Sequence, residues 1–319
     1  MKYDVVTFGS AALDVYVISK DNVIKSGGKD GIFLPLGEKI EGKKIVFCSG
    51  GGGTNAAATF ANQGLKVSFC GMVGKDLAGK FVLEDLEKYR IDREFLLETE
   101  KRSTNCSVVF LVGERNIIVP YRGASGIINF RDIPLSRLNA KWFYLAPLSG
   151  NLRKDLSKIV SFGKRKGIKI ALNPGKYQLT TPGIKEILKE ADILILNREE
   201  ASFLTKMPYQ DENKIFRKLN ELAKGICIMT KGEGGVTVSD GKFLYKAKVL
   251  KTKVVDETGA GDAFSSGFVA EYIKTNNIIS AIQFGMANSA SNLRKLGAKE
   301  GLLEKGQPFK RVKVFYGKL

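Results

Sequence analysis

The chain has 319 residues, of which 44% are hydrophobic and 26% are charged, a composition that suits one large globular α/β unit. It contains no histidine, which excludes Ser-His-Asp hydrolysis, histidine zinc sites and histidine general bases. Its 51 lysines and arginines and 33 acidic residues give a formal net charge of +18. The basic residues are scattered over predicted helix faces and form no arginine-rich arm, so we expect no specific nucleic acid partner.

The cysteines and the hydropathy pattern predict a cytoplasmic protein. Each cysteine lies in an apolar, strand-like segment without a CxxC pairing, which is typical of reduced core thiols; the four are Cys48, Cys70, Cys106 and Cys227. No apolar run approaches the length of a membrane-spanning helix, and a strand pattern begins directly at the amino terminus. We therefore expect no signal peptide and no membrane partner.

The first half of the chain predicts short strands separated by glycine-rich turns. The predicted strands are 5–9, 15–18, 45–48 and 67–70, and the predicted helices are 56–63 and 76–89. Residues 25–42 are rich in glycine and lysine and predict a loop or flap. Residues 104–112 and 116–119 predict a hairpin around Gly113-Glu114-Arg115.

The second half of the chain predicts a regular alternation of strands and helices. The predicted strands are 142–145, 169–172, 193–196, 226–230 and 251–255, and the predicted helices are 151–166, 182–190, 198–205, 211–223, 259–273 and 278–294. A hairpin over 236–247, turning at Asp240-Gly241, is expected at the far edge of the sheet, and the last two helices are expected to close the chain.

This pattern predicts a doubly wound α/β fold, with a mostly parallel central sheet and helices on both faces. Residues 1–319 are expected to form one domain. The early hairpins do not fit the central sheet, so we expect residues 14–48 and 103–120 to form a small β lid over one end of it. Ligands bind such sheets at the carboxyl ends of the strands. Polar or glycine-rich positions fall at these ends, namely Asp14, the loop from Gly50, Asn173, Asn197, Thr230 and the loop from Gly259.

The segment Asp256–Phe264 carries the clearest chemical signal. A glycine-rich turn between a predicted strand and a helix offers unpaired backbone amides at the positive end of the helix dipole, which is an anion site. The same segment places Asp262 in the first helical turn, where it would repel a bound phosphate. The aspartate is explained if it faces a second substrate whose hydroxyl group is to be phosphorylated.

This segment, Asp-Glu-Thr-Gly-Ala-Gly-Asp, resembles the second signature of the ribokinase-like (PfkB) carbohydrate kinases, with Glu257 where that family usually has threonine. The segments Gly50–Asn55 and Gly71–Gly79 are similar to the family's first signature. Asn197-Arg198-Glu199-Glu200 is similar to its N-x-x-E motif, and Thr230–Gly235 to its T-x-G-x-x-G motif. The motifs follow the family's order over nearly the whole chain.

The resemblance implies an ATP-dependent kinase that phosphorylates a hydroxyl group of a sugar or a sugar acid. It implies that Asp262 is the base and that the amides of Gly259, Ala260 and Gly261 form the anion hole. It assigns the other roles as follows: Asp14, Gly50, Gly51, Asn55 and Arg122 to the acceptor; Asn197, Thr230, Gly232, Gly235 and Asn288 to the nucleotide; Glu200, with Asn197, to Mg²⁺; and the carbonyl groups of Asp256 and Thr258 to a potassium-type cation.

Several alternatives stay open at this point. A nucleoside kinase of the same fold is the second hypothesis, and a non-catalytic ligand or nucleic-acid binder is a remote third. Gly52 replaces a lysine that is usual in ribokinases, and Ala146-Pro147-Leu148 lacks their acidic residue, so a strict ribose kinase is not predicted. Gly74–Lys80 matches a P-loop pattern except that Phe81 follows in place of the Mg²⁺-binding Ser or Thr. In relatives, lids of this kind often pair two subunits, which suggests a homodimer.

Overall fold

The computed structural model describes residues 2–19, 23–26, 29–34, 36–39, 41–112 and 115–319. The strands are β1 (Tyr3–Phe8), β2 (Ala12–Ser19), β3 (Val23–Ser26), β4 (Lys29–Ile32), β5 (Lys44–Gly50), β6 (Val67–Gly74), β7 (Leu96–Thr99), β8 (Asn105–Val112), β9 (Arg115–Tyr121), β10 (Ala140–Leu145), β11 (Lys169–Leu172), β12 (Ile193–Asn197), β13 (Ile226–Thr230), β14 (Val236–Ser239), β15 (Phe243–Ala247) and β16 (Val314–Lys318). The α-helices are α1 (Gly52–Asn62), α2 (Leu77–Lys88), α3 (Gly150–Lys154), α4 (Leu156–Arg165), α5 (Ile184–Lys189), α6 (Arg198–Thr205), α7 (Glu212–Leu222), α8 (Ala260–Thr275) and α9 (Ile278–Asn292).

The central sheet has the strand order β16-β15-β14-β13-β12-β11-β10-β1-β6-β7. Pairing is parallel from β7 to β13, and antiparallel among β13, β14, β15 and β16. Strand β6 pairs with β1 on one side, and β10, which comes later in the chain, pairs with β1 on the other side. The order of strands therefore reverses at β1, where a doubly wound sheet opens a ligand crevice at its carboxyl ends.

Both faces of the central sheet are covered, so its strands are apolar on both sides. Phe143 and Leu145 of β10 belong to the core on the face covered by helices α3 to α7. Trp142 and Tyr144, which alternate with them, belong to the core on the face covered by α1, α2, α8 and α9. This alternation across two buried faces confirms the doubly wound fold class predicted from the sequence.

A second sheet of four strands stands apart from the central sheet, in the order β5-β2-β8-β9. We call it the lid sheet. It contains Ala12–Ser19, Lys44–Gly50, Asn105–Val112 and Arg115–Tyr121. Within the described residues, strands β3 and β4 pair only with each other, so the predicted flap over 25–42 contains part of a short hairpin. Of the turn predicted at 113–115, residues 113–114 lie outside the described residues.

Several elements and element boundaries predicted from the sequence are wrong. Residues 251–255 form no strand; the amide of Val255 instead donates to the carbonyl of Leu293, 2.7 Å away, in the loop after α9. The two last helices do not close the chain, because β16 follows them and takes the sheet edge expected for the 236–247 hairpin. The helix predicted over 151–166 is two helices that meet at Asp155. The helix predicted from residue 56 already begins at Gly52.

Among the residues that the structure describes, no helix is both long enough and apolar enough to cross a membrane. The cytoplasmic location stays a prediction.

Candidate active site

A cavity of about 280 Å³ lies between the lid sheet and the carboxyl ends of β1 and β10. Both parts of the molecule contribute polar groups to its wall, and these include Ser10, Asp14, Gly51, Gly52, Asn55, Asn105, Ser107, Arg122, Ser149, Thr258, Gly259 and Asp262. The cavity thus brings the segments after β1, after β5 and before α8 together, as expected from their places at strand ends.

Asp262 occupies the first turn of α8 and lines the cavity. Its Oδ2 accepts a hydrogen bond from Nδ2 of Asn55, 2.8 Å away, in the first turn of α1. Burial raises the pKa of the Asp262 carboxyl above its ordinary value, and the hydrogen bond from Asn55 opposes this rise. A carboxylate with a raised pKa is a better proton acceptor than an exposed aspartate.

Gly259 precedes α8 in a backbone conformation that favours glycine. Its φ is +79°, and a Cβ at this position would lie 2.5 Å from the Cβ of Ala298. The amide of Ala260 donates to the carbonyl of Glu257 at 3.3 Å, a long bond within the turn. In the described chain, the amides of Gly261 and Asp262 make no backbone hydrogen bond, as expected at a helix start. They are the donors best placed to receive an anion.

Asp14 lies on β2 with only 6% of its surface exposed. Gly50 leaves room for it, because a Cβ on Gly50 would overlap the Asp14 carboxylate. Burial raises the pKa of the Asp14 carboxyl, while the hydroxyl group of Ser107 and the charge of Lys299 lower it. Lys299 is itself buried and donates to Asp85 and Ser49 at 2.7 and 2.8 Å. A buried cation therefore helps to keep Asp14 ionised.

Gly51 and Asn55 complete the acceptor side of the cavity. Gly51 has a φ of +98°, and a Cβ there would lie 2.5 Å from the carbonyl oxygen of Ser10, so the close approach of β1 and α1 requires glycine. Asn55 is 6% exposed, and its Oδ1 is buried without a hydrogen-bond partner among the described residues. An orphaned acceptor on the wall of a cavity is suited to a ligand hydroxyl group.

The residues assigned to the nucleotide lie apart from this cavity. Asn197 and Thr230 are register neighbours at the carboxyl ends of β12 and β13, and Gly232 and Gly235 follow Thr230 with φ values of +53° and +82°. Asn288 of α9 is fully buried and faces α8; its Nδ2 donates to the carbonyl of Ala263 and its Oδ1 accepts from the amide of Leu303, each at 2.8 Å. Its side chain has a structural role in the core.

Asn197 and Glu200 form a capping box at the start of α6. Asn197 Oδ1 accepts from the amide of Glu200 at 2.8 Å, and Glu200 Oε2 accepts from the amide of Asn197 at 2.9 Å. Burial raises the pKa of the Glu200 carboxyl. Its Oε1 makes no hydrogen bond in the described parts of the chain. Mg²⁺ in nucleotide sites is usually held by one or two carboxylates together with waters and phosphates, so one free carboxylate oxygen fits this ion.

The turn that carries Asp256 and Thr258 is buried against the loop after α9. Asp256 is 0% exposed, and the amide of Gly297 donates to its Oδ2 at 3.0 Å. Asn292, beside that loop, donates to the carbonyl of Gly297 at 3.2 Å and leaves its own buried Oδ1 without a partner among the described residues. A buried oxygen without a hydrogen-bond partner is an acceptor that a bound cation or a water molecule can satisfy.

The polar cavity residues that were not predicted from the sequence include Asn105 and Ser107 on β8. Asn105 and Ser107 stand at alternate positions of β8 and line the cavity with Asp14, to which Ser107 is paired in register. Asn105 Oδ1 also accepts from the amides of Gly123 and Ser125, at 3.0 and 3.2 Å, and fixes the turn after Arg122. Two polar residues with a period of two in an apolar strand are a signal for a polar inner face.

Comparisons with known proteins show the family of the chain. Residues 3–305 match the family described as pfkB family carbohydrate kinase. A ribokinase from Haemophilus influenzae is 28% identical over 283 residues, which cover 85% of this chain and 89% of the relative. An ATP-dependent 6-phosphofructokinase from Thermoanaerobacterium thermosaccharolyticum is 28% identical, with coverages of 93% and 90%.

Among solved structures, Arabidopsis thaliana ribokinase complexed with ribose and ATP matches with a TM-score of 0.78 and 24% identity, over 95% of this chain and 96% of that one. This likeness shows that the two proteins share a fold. The family match spans nearly the whole chain and includes both glycine-rich segments of the cavity. The chain therefore belongs to the pfkB family of carbohydrate kinases and is a phosphotransferase that acts on an alcohol group.

Proposed function

We propose that the protein transfers the γ-phosphoryl group of ATP to a hydroxyl group of a sugar or a sugar acid. The observation that carries the proposal is the position of Asp262. Its carboxylate faces the cavity, is held by Asn55 and stands in the first turn of α8, directly after the glycine turn. A base and an anion site are thus joined in one turn, which suits the transfer of a phosphoryl group to a hydroxyl group.

Asp262 acts as the base for the acceptor. Asn55 holds Oδ2, so Oδ1 is the oxygen directed to the acceptor hydroxyl group. The hydroxyl oxygen attacks the γ-phosphorus, its proton passes to Asp262, and ADP leaves. The bond to the bridging oxygen of ATP breaks as the new ester bond forms, so charge grows on the transferring phosphoryl group. The amides of Gly259, Ala260 and Gly261 stabilise that charge. In the described chain the amide of Gly261, like that of Asp262, makes no backbone hydrogen bond, whereas that of Ala260 donates to the carbonyl of Glu257.

Asp14 and Asn55 bind the hydroxyl groups of the acceptor. The Asp14 carboxylate accepts from them, and so does the orphaned Oδ1 of Asn55. Gly50 and Gly51 keep the backbone free of side chains, so a sugar ring can approach closely. The cavity of about 280 Å³ is compatible with a single small acceptor.

Arg122 supports an acidic acceptor. It lines the same cavity and is the one cationic residue among those that do so in the described chain. Arginine binds carboxylate and phosphate groups with two parallel hydrogen bonds. Sugar acids and sugar phosphates are therefore the first acceptors to test, and a ribose-like sugar without a charge is expected to bind less tightly.

The nucleotide lies over the ends of β12 and β13. Asn197, Thr230, Gly232 and Gly235 line it, and Asn288 supports this side by holding α8 against α9. The free oxygen of Glu200, with Asn197, is where Mg²⁺ would be held. When bound, Mg²⁺ neutralises charge on the phosphate oxygens. The carbonyl groups of Asp256 and Thr258, in the turn to which the amide of Gly297 donates, would hold a potassium-type cation.

The test is ADP release from Mg-ATP with a panel of sugars, sugar acids, sugar phosphates and nucleosides. Turnover with a charged sugar supports the proposal. So does an Arg122→Ala variant that loses turnover with the charged sugar but keeps turnover with an uncharged analogue. Turnover with nucleosides alone would favour the second candidate, a nucleoside kinase of the same fold. No turnover with any acceptor, together with tight salt-dependent DNA binding, would favour a non-catalytic nucleic-acid binder.

We also propose that the outer face of the lid sheet pairs two copies of the chain. This face is apolar and exposed, with Ile45 at 58%, Phe47 at 55% and Val119 at 55% exposure. An exposed apolar face is a candidate interaction surface, and a twofold axis would bury the same face on both copies. We expect a dimer by light scattering and a monomer for Phe47→Glu. A wild-type monomer at every protein concentration would refute the dimer.

A further inference from the structure

The Asp256 carboxylate is a point where the lid sheet meets the turn before α8. It is fully buried and accepts five hydrogen bonds from the residues that the structure describes. Three come from the main part of the molecule: Thr258 donates through its amide at 3.0 Å and through its hydroxyl group at 2.7 Å, both to Oδ1, and Gly297 donates its amide to Oδ2 at 3.0 Å. These bonds fix the shape of the segment Asp256–Gly261, which we call the anion-hole turn.

The other two hydrogen bonds come from the lid sheet. The hydroxyl group of Tyr16 on β2 donates to Asp256 Oδ2 at 2.8 Å. Asn116 Nδ2 on β9 lies 3.2 Å from Asp256 Oδ1 and 3.0 Å from the hydroxyl oxygen of Thr258. Two strands that are not neighbours in the lid sheet thus contact the same carboxylate.

Tyr16 and Asn116 lie on the inner face of the lid sheet. Tyr16 is two residues from Asp14 on β2, and Asn116 is two residues from Ile118 on β9; Asp14 and Ile118 both line the cavity. Because side chains alternate along a strand, all four point to the same side. The side of the lid sheet that covers the acceptor therefore also holds the anion-hole turn.

Close packing leaves the anion-hole turn little room to move. Thr258 is followed directly by Gly259, which packs against Ala298 with no room for a Cβ. A shift of the Asp256 carboxylate would therefore be passed to the amides at the start of α8. A buried carboxylate that loses hydrogen-bond donors is destabilised unless water molecules or a rearranged backbone replace them.

We propose that Tyr16 and Asn116 are positioning residues that set the anion-hole turn for phosphoryl transfer when the lid sheet is seated over the acceptor. The inference rests on the proposed function. Neither residue touches the reacting atoms; both act through Asp256 and Thr258. Seating of the lid sheet and completion of the anion hole thus become one event, which favours transfer to the acceptor over transfer to water.

The test compares Tyr16→Phe and Asn116→Ala with wild type, and Lys44→Ala is the matched control. Tyr16→Phe keeps the buried ring and removes only the donor, and Asn116 is partly exposed, so both variants are expected to fold. Lys44 is an exposed lid-sheet residue on β5 whose side chain makes no hydrogen bond to the turn in the described structure. With an acceptor found in the panel above, kcat, both KM values and ADP release without acceptor are measured.

Each positioning variant is expected to lose about tenfold or more in kcat, with KM for ATP changed by less than about threefold, since ATP binding does not require the lid contacts. ADP release without acceptor should form a larger share of the total. Lys44→Ala should match wild type. In hydrogen exchange, acceptor binding should protect residues 256–262 in wild type and Lys44→Ala, and much less in the two variants.

The failures of the two proposals are distinguishable. Wild-type protein without turnover on any acceptor contradicts the proposed function. Active wild type with unchanged kcat in both Tyr16→Phe and Asn116→Ala, and unchanged protection of residues 256–262, contradicts the positioning roles alone. An equal loss of kcat and rise of hydrogen exchange over the whole chain would show a general stability effect, and it would also contradict the inference.

Discussion

Asn55 donates a hydrogen bond from Nδ2 to Oδ2 of Asp262 across 2.8 Å, and this bond joins the starts of two helices. Asn55 belongs to the first turn of α1, which follows the glycine segment after β5, and Asp262 belongs to the first turn of α8. The acceptor side and the base are therefore held in a fixed relation by one contact. The chemistry of the site can be tested by changing each partner of this bond.

Replacement of Asp262 by asparagine should abolish phosphoryl transfer and leave binding nearly intact. The amide keeps the size of the carboxylate but cannot accept the acceptor's proton, and loss of a positioned base costs about 10²- to 10⁴-fold in rate. ADP release and ATP binding by calorimetry measure the two effects separately. A variant that retains about a tenth or more of wild-type turnover would show that Asp262 is not the base.

Replacement of Asn55 by alanine should move the acidic limb of the pH–rate profile. Asp262 must be ionised to act, so activity falls as the pH falls through its pKa. Burial raises that pKa above the ordinary carboxyl value, and the hydrogen bond from Asn55 holds it down. Without the bond, the limb should shift to higher pH, and kcat at neutral pH should fall. A profile of kcat/KM with an unmoved acidic limb would contradict this coupling.

The central sheet could be predicted from the sequence because its strands are buried on both faces. Runs such as Trp142–Leu145 are continuously apolar and alternate with helices, a pattern that few other folds produce. Strand β16 could not be predicted, since Val314–Lys318 is short and exposed at an edge and depends on the aromatic neighbours Phe243 and Tyr245 for its place. Residues 251–255 show the opposite error, a strand that was predicted but does not form. The segment ends in two valines, but the amide of Val255 donates to a loop carbonyl and not to a neighbouring strand.

The site was predictable where one motif carries the chemistry and unpredictable where strands must first pair. Asp262 and Asn55 lie in glycine-rich segments, and the structure brings them into contact. The contacts of Asp256 with Tyr16 and Asn116 join positions more than a hundred residues apart, and they depend on the order of strands in the lid sheet. The N-x-x-E motif alone does not establish a Mg²⁺ site, since the side chains of Asn197 and Glu200 also cap α6.

Replacement of Asp14 by asparagine should weaken acceptor binding and stabilise the fold at neutral pH. Burial raises the pKa of Asp14 in the folded chain, so the folded state binds the proton more tightly than the unfolded state. The free energy of unfolding therefore falls as the pH rises from the ordinary carboxyl pKa through the raised pKa of Asp14. At neutral pH the ionised form destabilises the fold. The neutral amide avoids this cost but cannot serve as a charged acceptor, so KM for the acceptor should rise about tenfold or more.

Thermal unfolding at neutral and at acidic pH checks the stability effect of Asp14→Asn. The variant should unfold at a higher temperature than wild type at neutral pH, and the difference should shrink in acid, where Asp14 of the wild type is protonated. Lys299 partly offsets the cost of the charge, because it lies close enough to lower the pKa of Asp14. A variant that is less stable than wild type at neutral pH would show that Lys299 outweighs the burial of the carboxylate.

Alanine at Gly259 and at Gly261 should have different effects, although only Ala260 separates the two glycines in the turn. Gly259 has a φ of +79°, and a Cβ there would lie 2.5 Å from Cβ and 2.7 Å from Cα of Ala298. Gly259→Ala should therefore cost about 1–3 kcal/mol in the free energy of unfolding. At Gly261 an added Cβ would meet no described atom within 4 Å other than the neighbouring backbone of its own helix, so Gly261→Ala should be neutral or stabilising by up to about 1 kcal/mol. Urea unfolding measures both, and equal stabilities would mean that the contact with Ala298 does not constrain the anion-hole turn.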